Sequence, residues 1–521
     1  MANKSVFASA RGRLLPKTTK RNAAGARAYA YSDAHLLAQM AATGTISQSF
    51  YQDPTAELAR ALDVAERVTP EFLAKTAVFV RQRGHMKDMP AVLLAVLARR
   101  DPVLFRAVFG RVVDNGRMLR TFVQIMRSGQ TGRKSLGTRP KAMIANWLNS
   151  ASDWTLLQAN IGNDPSLADV IRMVHPKPAS PAREALFAWI IGRPCDVALL
   201  PEGLQHWLAF NKTGQGALPG EVPDVPFQML TQLPLTAEHW AGIARQGSWQ
   251  MLRQNLNTFL RHGVFAEGEM VRHVAQVLRD PARIGRSRAL PYQLMAAARA
   301  VDTAMPRQIR EALHDAVEIA VANVPRLEGS VVVCPDVSGS MSSPVTGCRR
   351  GATSAMRFVD IAALVSAAVL RQNRGAMVLP FECSVREMRL EPRDTILTNA
   401  ERLAALMGGG TNCSAPLQWL NYRRQAPDLV IFVSDNQSWA DARRGQATAM
   451  MTEWERIKTR NPKARLVCID IAPYGTTQAT EREDVLNIGG FSDQVFDQIA
   501  AFAEGCMGPA HWVGEIEKVE V

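Results

Sequence analysis

The sequence predicts an α plus α/β chain: an irregular, HEAT-like series of helical repeats followed by a Rossmann-like domain with a parallel sheet. Three observations predict it. From about Asp33 to Val324, apolar residues recur at helical spacing in segments broken by Gly, Pro or Asx/Ser/Thr start signals. From Glu328 onward, β-branched apolar runs alternate with helical stretches, the pattern of a parallel sheet covered on both faces. At the expected carboxyl ends of two such runs stand Asp336 and Asp435, where ligands bind in open α/β sheets.

In the first part the expected helices include Pro70 to Gly84, Pro90 to Arg100, Lys141 to Ser150, Ala182 to Ile191, Trp249 to His262, Gly268 to Arg279, Leu290 to Ala300 and Arg307 to Ala322. Helical pairs of this length cannot bury an apolar face without a neighbour, so a solenoid-like stack is expected, although no fixed period is visible. Lys212 to Pro226 is rich in Gly and Pro and reads as a long loop. In the second part strands are expected at 330–335, 376–382, 428–434 and 465–471, and helices at 355–373, 399–407, 447–459 and 492–504. The division is therefore a basic arm at 1–20, a helical-repeat domain at 21–327 and an α/β domain at 328–521.

The α/β domain carries the clearest chemistry. Its first strand leads into Asp336-Val337-Ser338-Gly339-Ser340, in which alternate residues can face one point. Gly408-Gly409-Gly410-Thr411 offers a further hydroxyl on a flexible loop, and the strand Asp428 to Ser434 ends in Asp435. Mg²⁺ wants octahedral oxygen ligands and keeps several waters, so a few carboxylates and hydroxyls suffice. Asp336, Ser338, Ser340, Thr411 and Asp435 are the expected ligands of a metal-ion-dependent adhesion site, a binding device with one position open to an acidic group. Alone, Asp-x-Ser-x-Ser is more simply a hydrogen-bonded turn; three pieces in order favour the metal.

Charge is unevenly placed. The net +13 of the 521 residues splits into 41 Lys and Arg against 25 Asp and Glu over residues 1–327, and 20 against 23 thereafter. A basic partner surface thus belongs to the helical part. Candidate phosphate contacts are Arg127, Arg133, Lys134, Arg139 and Lys141, with Arg172, His175 and Lys177 beside them, and a second group at Arg253, Arg283, Arg286 and Arg288. A solvated helix face or bridges between helices are the plain alternatives. The tryptophans at helical spacing read more readily as core than as stacking platforms. Seven cysteines without a Cys-x-x-Cys pair argue against a disulfide framework or zinc site. The longest apolar run, Met89 to Ala98, is too short to cross a bilayer, and a cytoplasmic protein is expected.

Several stretches resemble the Ro autoantigen family, in which a TROVE helical module precedes a von Willebrand factor A-type domain, and its bacterial members in particular. They are Asn22-Ala23-Ala24-Gly25, Leu136 to Trp147, His175-Pro176-Lys177-Pro178, Ser287 to Pro291, Asp336 to Met341, Gly409 to Ser414 and Ser434-Asp435-Asn436. The resemblance implies a ring of helical repeats joined by the A-type domain. It implies non-catalytic binding of small structured Y RNAs and of 3′ single-stranded ends of misfolded RNA for quality control, with an exoribonuclease such as polynucleotide phosphorylase as partner. Asn412 departs from the family, which often has Asp after the Thr.

Overall fold

The computed structural model describes residues 15–43, 53–214, 221–287, 291–321, 324, 326–345, 356–439, 446–472, 474–490, 494–507 and 510–521. The chain forms two compact units. One gathers the described residues up to Met86, at 291–292 and from Val321 to Glu520; the other gathers the described residues from Lys87 to Ser287 and from Gln293 to Ala320, with Val521.

The first unit is built on a five-stranded parallel sheet. In chain order its strands are β3 (Val331–Pro335), β4 (Met377–Val378), β5 (Leu429–Ser434), β6 (Arg465–Asp470) and β8 (Val485–Gly489), arranged β4-β3-β5-β6-β8. The two central strands, β3 and β5, are buried along their whole length, as expected for strands covered on both faces. Helices Phe358–Gln372, Ile396–Ala404, Ala449–Arg460 and Gln494–Ala503 match expectation within a few residues. The strand expected at 376–382 is shorter, because after Val378 the chain runs past β3 through single bonds, Leu379 N to Val333 O (2.8 Å) and Phe381 N to Pro335 O (3.0 Å). Strand β8 and the helix Ala415–Tyr422 were not foreseen. Strand β8 has a buried Asn487 in its middle and four charged residues before it, which hide its apolar pattern.

A second difference concerns the N-terminal segment. Strands β1 (Lys20–Arg21), β2 (Arg27–Ala30) and β7 (Thr476–Thr477) form a small antiparallel sheet in which Tyr29 pairs with Thr477. The helix Asp33–Thr43 then packs on β8, where the His35 ring nitrogen Nε2 meets the Asn487 carbonyl at 3.0 Å. Residues expected to open the helical series therefore fold against the α/β sheet. Helical periodicity identifies a helix but not the neighbour that buries its face.

Among the described residues the second unit is all helical. Its expected helices appear as Asp88–Arg100, Thr138–Ser150, Pro181–Ile190, Trp249–Arg261, Gly268–Leu278, Pro291–Ala300 and Arg307–Ala320. Capping side chains set many starts: Asp101 accepts from Val103 and Leu104 N–H, and Ser166 forms a reciprocal capping box with Asp169. Neighbouring helices share aromatic cores, such as Phe105, Phe109 and Phe122 with ring centroids 5.5–5.9 Å apart. No helix among the described residues is long and apolar enough to cross a membrane.

Candidate functional site

The structure brings all five expected ligand residues of the α/β domain to the carboxyl edge of the sheet, and all are nearly or fully buried. Three loops are stitched together by backbone bonds. Gly339 N donates to Gly409 O (2.9 Å), Gly408 N to Val337 O (2.8 Å), and Trp439 N to Thr411 O (2.9 Å). Gly409 has φ +73°, and a Cβ there would run into the Glu382 carboxylate, so this loop needs glycine to lie as close as it does.

Within this frame Asp336 accepts from Ser338 N (2.9 Å) and from the Ser434 hydroxyl (2.6 Å). The hydroxyls of Ser338 and Ser340 are 3.3 Å apart, and Ser340 lies close enough to the Asp435 carboxylate to favour its ionised form. Asp435 Oδ1 accepts from Gln437 N at 3.2 Å, while its buried Oδ2 has no hydrogen-bond partner among the described residues. Burial raises the Asp336 carboxyl above its usual range; burial, with the neighbouring Asp336 charge, pushes Asp435 up to about 7. A buried carboxylate oxygen beside hydroxyls, with no bond of its own among the described residues, fits a bound cation, and the all-oxygen donor set is what a hard cation requires. Among the described residues no three His, Cys, Asp or Glu side chains converge, so the donors are two acids among hydroxyls.

Asn412 is turned to local work: its side chain donates to Cys383 O (3.3 Å) and accepts from Ser414 N (3.0 Å) and the Ser414 hydroxyl (2.7 Å). The sequence reading missed Asp470, which ends β6 as Asp435 follows β5. It is 3% exposed, bonded to Tyr31 and Asn436, and pushed by burial up to about 7. The signal was present, since Arg465 to Asp470 is another apolar strand closing on a carboxylate.

In the helical unit, the first basic group gathers on packed neighbours. Helix Thr138–Ser150 and helix Gly116–Arg127 both contact helix Leu167–Val174. Arg127 reaches Met173 Sδ at 2.9 Å, and Asn149 Nδ2 donates to Lys177 O at 2.9 Å, fixing the turn after exposed, left-handed His175 (φ +51°). Arg172 is partly committed, donating to Ile191 O (2.7 Å) and lying 3.6 Å from Asp169. Arg133, Lys134 and Arg139 are exposed and Lys141 half-buried; among the described residues none of the four has an ion-pair partner. Gly137, at φ +73°, starts the helix that carries Arg139 and Lys141 and follows Arg133 and Lys134; it has no side-chain cap, which leaves the first N–H groups open.

The second group is differently disposed. Arg253 donates to Gln293 O (2.9 Å) with its guanidinium 5.7 Å from the Trp249 ring centre, so it ties helices together. Arg283 pairs with Asp280 at 3.4 Å, and Arg286 bonds back to Ala282 O at 3.3 Å on an exposed helix. Arg288 lies outside the described residues. Arg253→Ala is expected to lower stability by about 1–2 kcal/mol through the lost bond and cation–π contact, while RNA affinity per folded molecule stays unchanged; thermal denaturation beside a binding titration checks both.

Comparison with known proteins meets this geometry directly. Residues 330–503 match the family model of the Ro60 vWA domain. The chain as a whole is similar to a Ro protein. It is 26% identical over 526 aligned residues to the RNA-binding protein RO60 of Deinococcus radiodurans, covering 94% of this chain and 96% of that protein. The crystal structure of the Deinococcus radiodurans Ro (RSR) protein superposes with a TM-score of 0.62 at 20% identity, covering 91% of this chain and all of that one. That likeness supports the fold: helices first, then an A-type parallel sheet.

Proposed function

We propose that this Ro-like chain is a non-catalytic RNA-binding protein whose helical unit grips structured RNA through its phosphates. The observation that carries this is the set Arg133, Lys134, Arg139 and Lys141, unpaired among the described residues at an uncapped helix start. Lys177, which follows helix Leu167–Val174 and His175, is held by Asn149 beside the far end of helix Thr138–Ser150, roughly 12 Å along from Lys141 at 1.5 Å per residue, so the surface spans several phosphates. Phosphates bind cations and open helix N-termini without reading bases. Recognition then rests on RNA shape and free ends, which suits small structured Y-like RNAs and the 3′ tails of misfolded RNA in quality control. An exoribonuclease partner such as polynucleotide phosphorylase is part of the same reading. The likeness to a protein named as RNA-binding supports it.

The A-type unit has a separate role in this proposal: Asp336, Ser338, Ser340, Thr411 and Asp435 hold a divalent cation, Mg²⁺, which neutralises the two buried acids. Binding displaces a proton from Asp435, whose carboxyl sits at about 7. Mg²⁺ affinity is therefore expected to rise about tenfold between pH 6 and pH 8 and to level off above. Calorimetric titrations across that range check it, and a flat profile contradicts it.

A second reading makes the A-type unit an adaptor for an acidic group on a partner protein. Beside the metal loops a cleft of about 800 Å³ is lined by Cys383, Leu406, Trp419 and Tyr422, with Tyr422 86% exposed. RNA recovery separates the two. Purification under nuclease control, crosslinking and sequencing should yield enriched small RNAs bound to the helical unit, whereas a pure adaptor carries none. Turnover of labelled RNA by the purified protein, abolished by Asp336→Ala, would overturn the non-catalytic reading.

A further inference from the structure

We propose that residues Asn22–Tyr31 are positioning residues for the metal centre, holding the loop after β5 in the form that presents Asp435. The inference rests on the metal reading above and assigns work to the Asn22-Ala23-Ala24-Gly25 stretch, which phosphate binding leaves without a role.

The stretch folds into a tight turn. Gly25, at φ +85°, donates to Asn22 O (3.0 Å), Asn22 N donates to Ala26 O (2.8 Å), and Asn22 Oδ1 accepts from Ala26 N (2.8 Å). This uses the oxygen of the Asn22 amide and aims its nitrogen outward, where it donates to Ser438 O at 2.5 Å, 416 positions further along the chain. Ala23 N donates to Gln437 Oε1 at 2.7 Å. Gln437 in turn gives its backbone N–H to Asp435 Oδ1 (3.2 Å) and its side-chain amide to Asp435 O (3.3 Å). One side of the ligand loop is thus anchored on the turn.

The other side is anchored through Tyr31. Its hydroxyl donates to Asp470 Oδ2 at 2.7 Å, and Asp470 Oδ1 accepts from Asn436 Nδ2 at 2.8 Å. Asn436, next to Asp435, has φ +61°, a left-handed conformation that asparagine adopts more readily than other non-glycine residues and that its side-chain bond here holds in place. Its N–H donates to the Ser434 hydroxyl (2.9 Å), which donates to Asp336 (2.6 Å). Both acids therefore hang on bonded chains that begin in the N-terminal segment, Asp435 through Gln437 and Ala23, and Asp336 through Ser434, Asn436, Asp470 and Tyr31. Without the outer bonds, the unpartnered Asp435 oxygen has every reason to turn towards another donor.

Partners that orient metal ligands typically govern affinity about 10–100-fold, so Asn22→Ala and Tyr31→Phe are each expected to weaken Mn²⁺ or Mg²⁺ binding by about tenfold. Tyr31→Phe keeps the ring that stacks on His35 at 4.6 Å, which preserves the packing. The experiment measures Mn²⁺ binding to the full chain by electron paramagnetic resonance and Mg²⁺ by calorimetry, with thermal denaturation of the metal-free forms alongside. Weakened binding in variants that fold supports the proposal. A merely structural role lowers the denaturation temperature and leaves affinity untouched, and wild-type affinity in folded variants overturns the inference alone. No binding of either cation by the wild-type chain overturns the metal reading and this inference with it. By reciprocity, Mg²⁺ should also slow hydrogen exchange in residues 22–31 of the wild type.

Discussion

Reversing Arg133, Lys134, Arg139 and Lys141 to Glu is expected to weaken binding of a small structured RNA by more than a hundredfold at moderate salt. Each phosphate contact releases condensed counterions and adds about 0.7–0.9 to the slope of log affinity against log salt. Losing four such contacts should flatten that slope by about 3. The reason these four matter most is local: they are unpaired among the described residues, whereas Arg172, Arg253 and Arg283 already have protein partners. A filter-binding or fluorescence titration at several salt concentrations reads both quantities. An unchanged slope removes this surface from the RNA path.

Asp435→Asn is expected to do two opposite things. It abolishes Mg²⁺ binding, because a cation loses one of its two carboxylates. It also stabilises the metal-free protein at neutral pH, because the buried acid with an unpartnered oxygen is costly when ionised. The sign follows from linkage. A carboxyl raised from its ordinary value to about 7 favours the folded state fully at pH below the unfolded value, and that benefit is lost as pH rises through 7. His35 is lowered by burial to about 4, so its contribution is intact above its ordinary 6.5 and lost only as pH falls towards 4. Between pH 6.5 and 8 the carboxylates therefore dominate, and metal-free wild type should lose denaturation temperature as pH rises while Asp435→Asn loses less. At pH 7.5 the variant is expected to melt a few degrees higher without metal and to gain nothing from Mg²⁺. Lower stability of the variant in metal-free buffer contradicts this picture of the site.

The cluster of acids and hydroxyls at the sheet edge was the most legible part of the chain because its residues lie at strand ends, where a continuous apolar run announces both the strand and the residue that follows it. Asp336 and Asp435 were found that way, and the same logic applied to Arg465–Asp470 reaches Asp470. What escaped was support from a distance. Nothing in local periodicity says that the Asn22 amide meets Ser438 or that Tyr31 meets Asp470, because those contacts depend on tertiary packing across the whole unit. Strand β8 was hidden for a related reason: Asn487 is a polar residue buried in mid-strand, bonded to Glu481 and Thr477 rather than to water. In the helical unit the segments were read within a few residues, since each has several turns of apolar spacing and most have capping signals. Which basic residues stay unpaired was not legible, because it turns on partners such as Gln293 for Arg253 and Asp280 for Arg283 that only folding supplies.

The central claim is that the basic helical unit binds RNA through its phosphates. The most direct measurement is the affinity of the full-length wild-type protein for a structured small RNA, with and without a single-stranded 3′ tail, across a range of salt. The account predicts tight binding at low salt that falls linearly in log–log form, with a slope set by at least four phosphate contacts and little change when the RNA sequence is altered at constant shape. Affinity that is absent, or indifferent to salt, would contradict it.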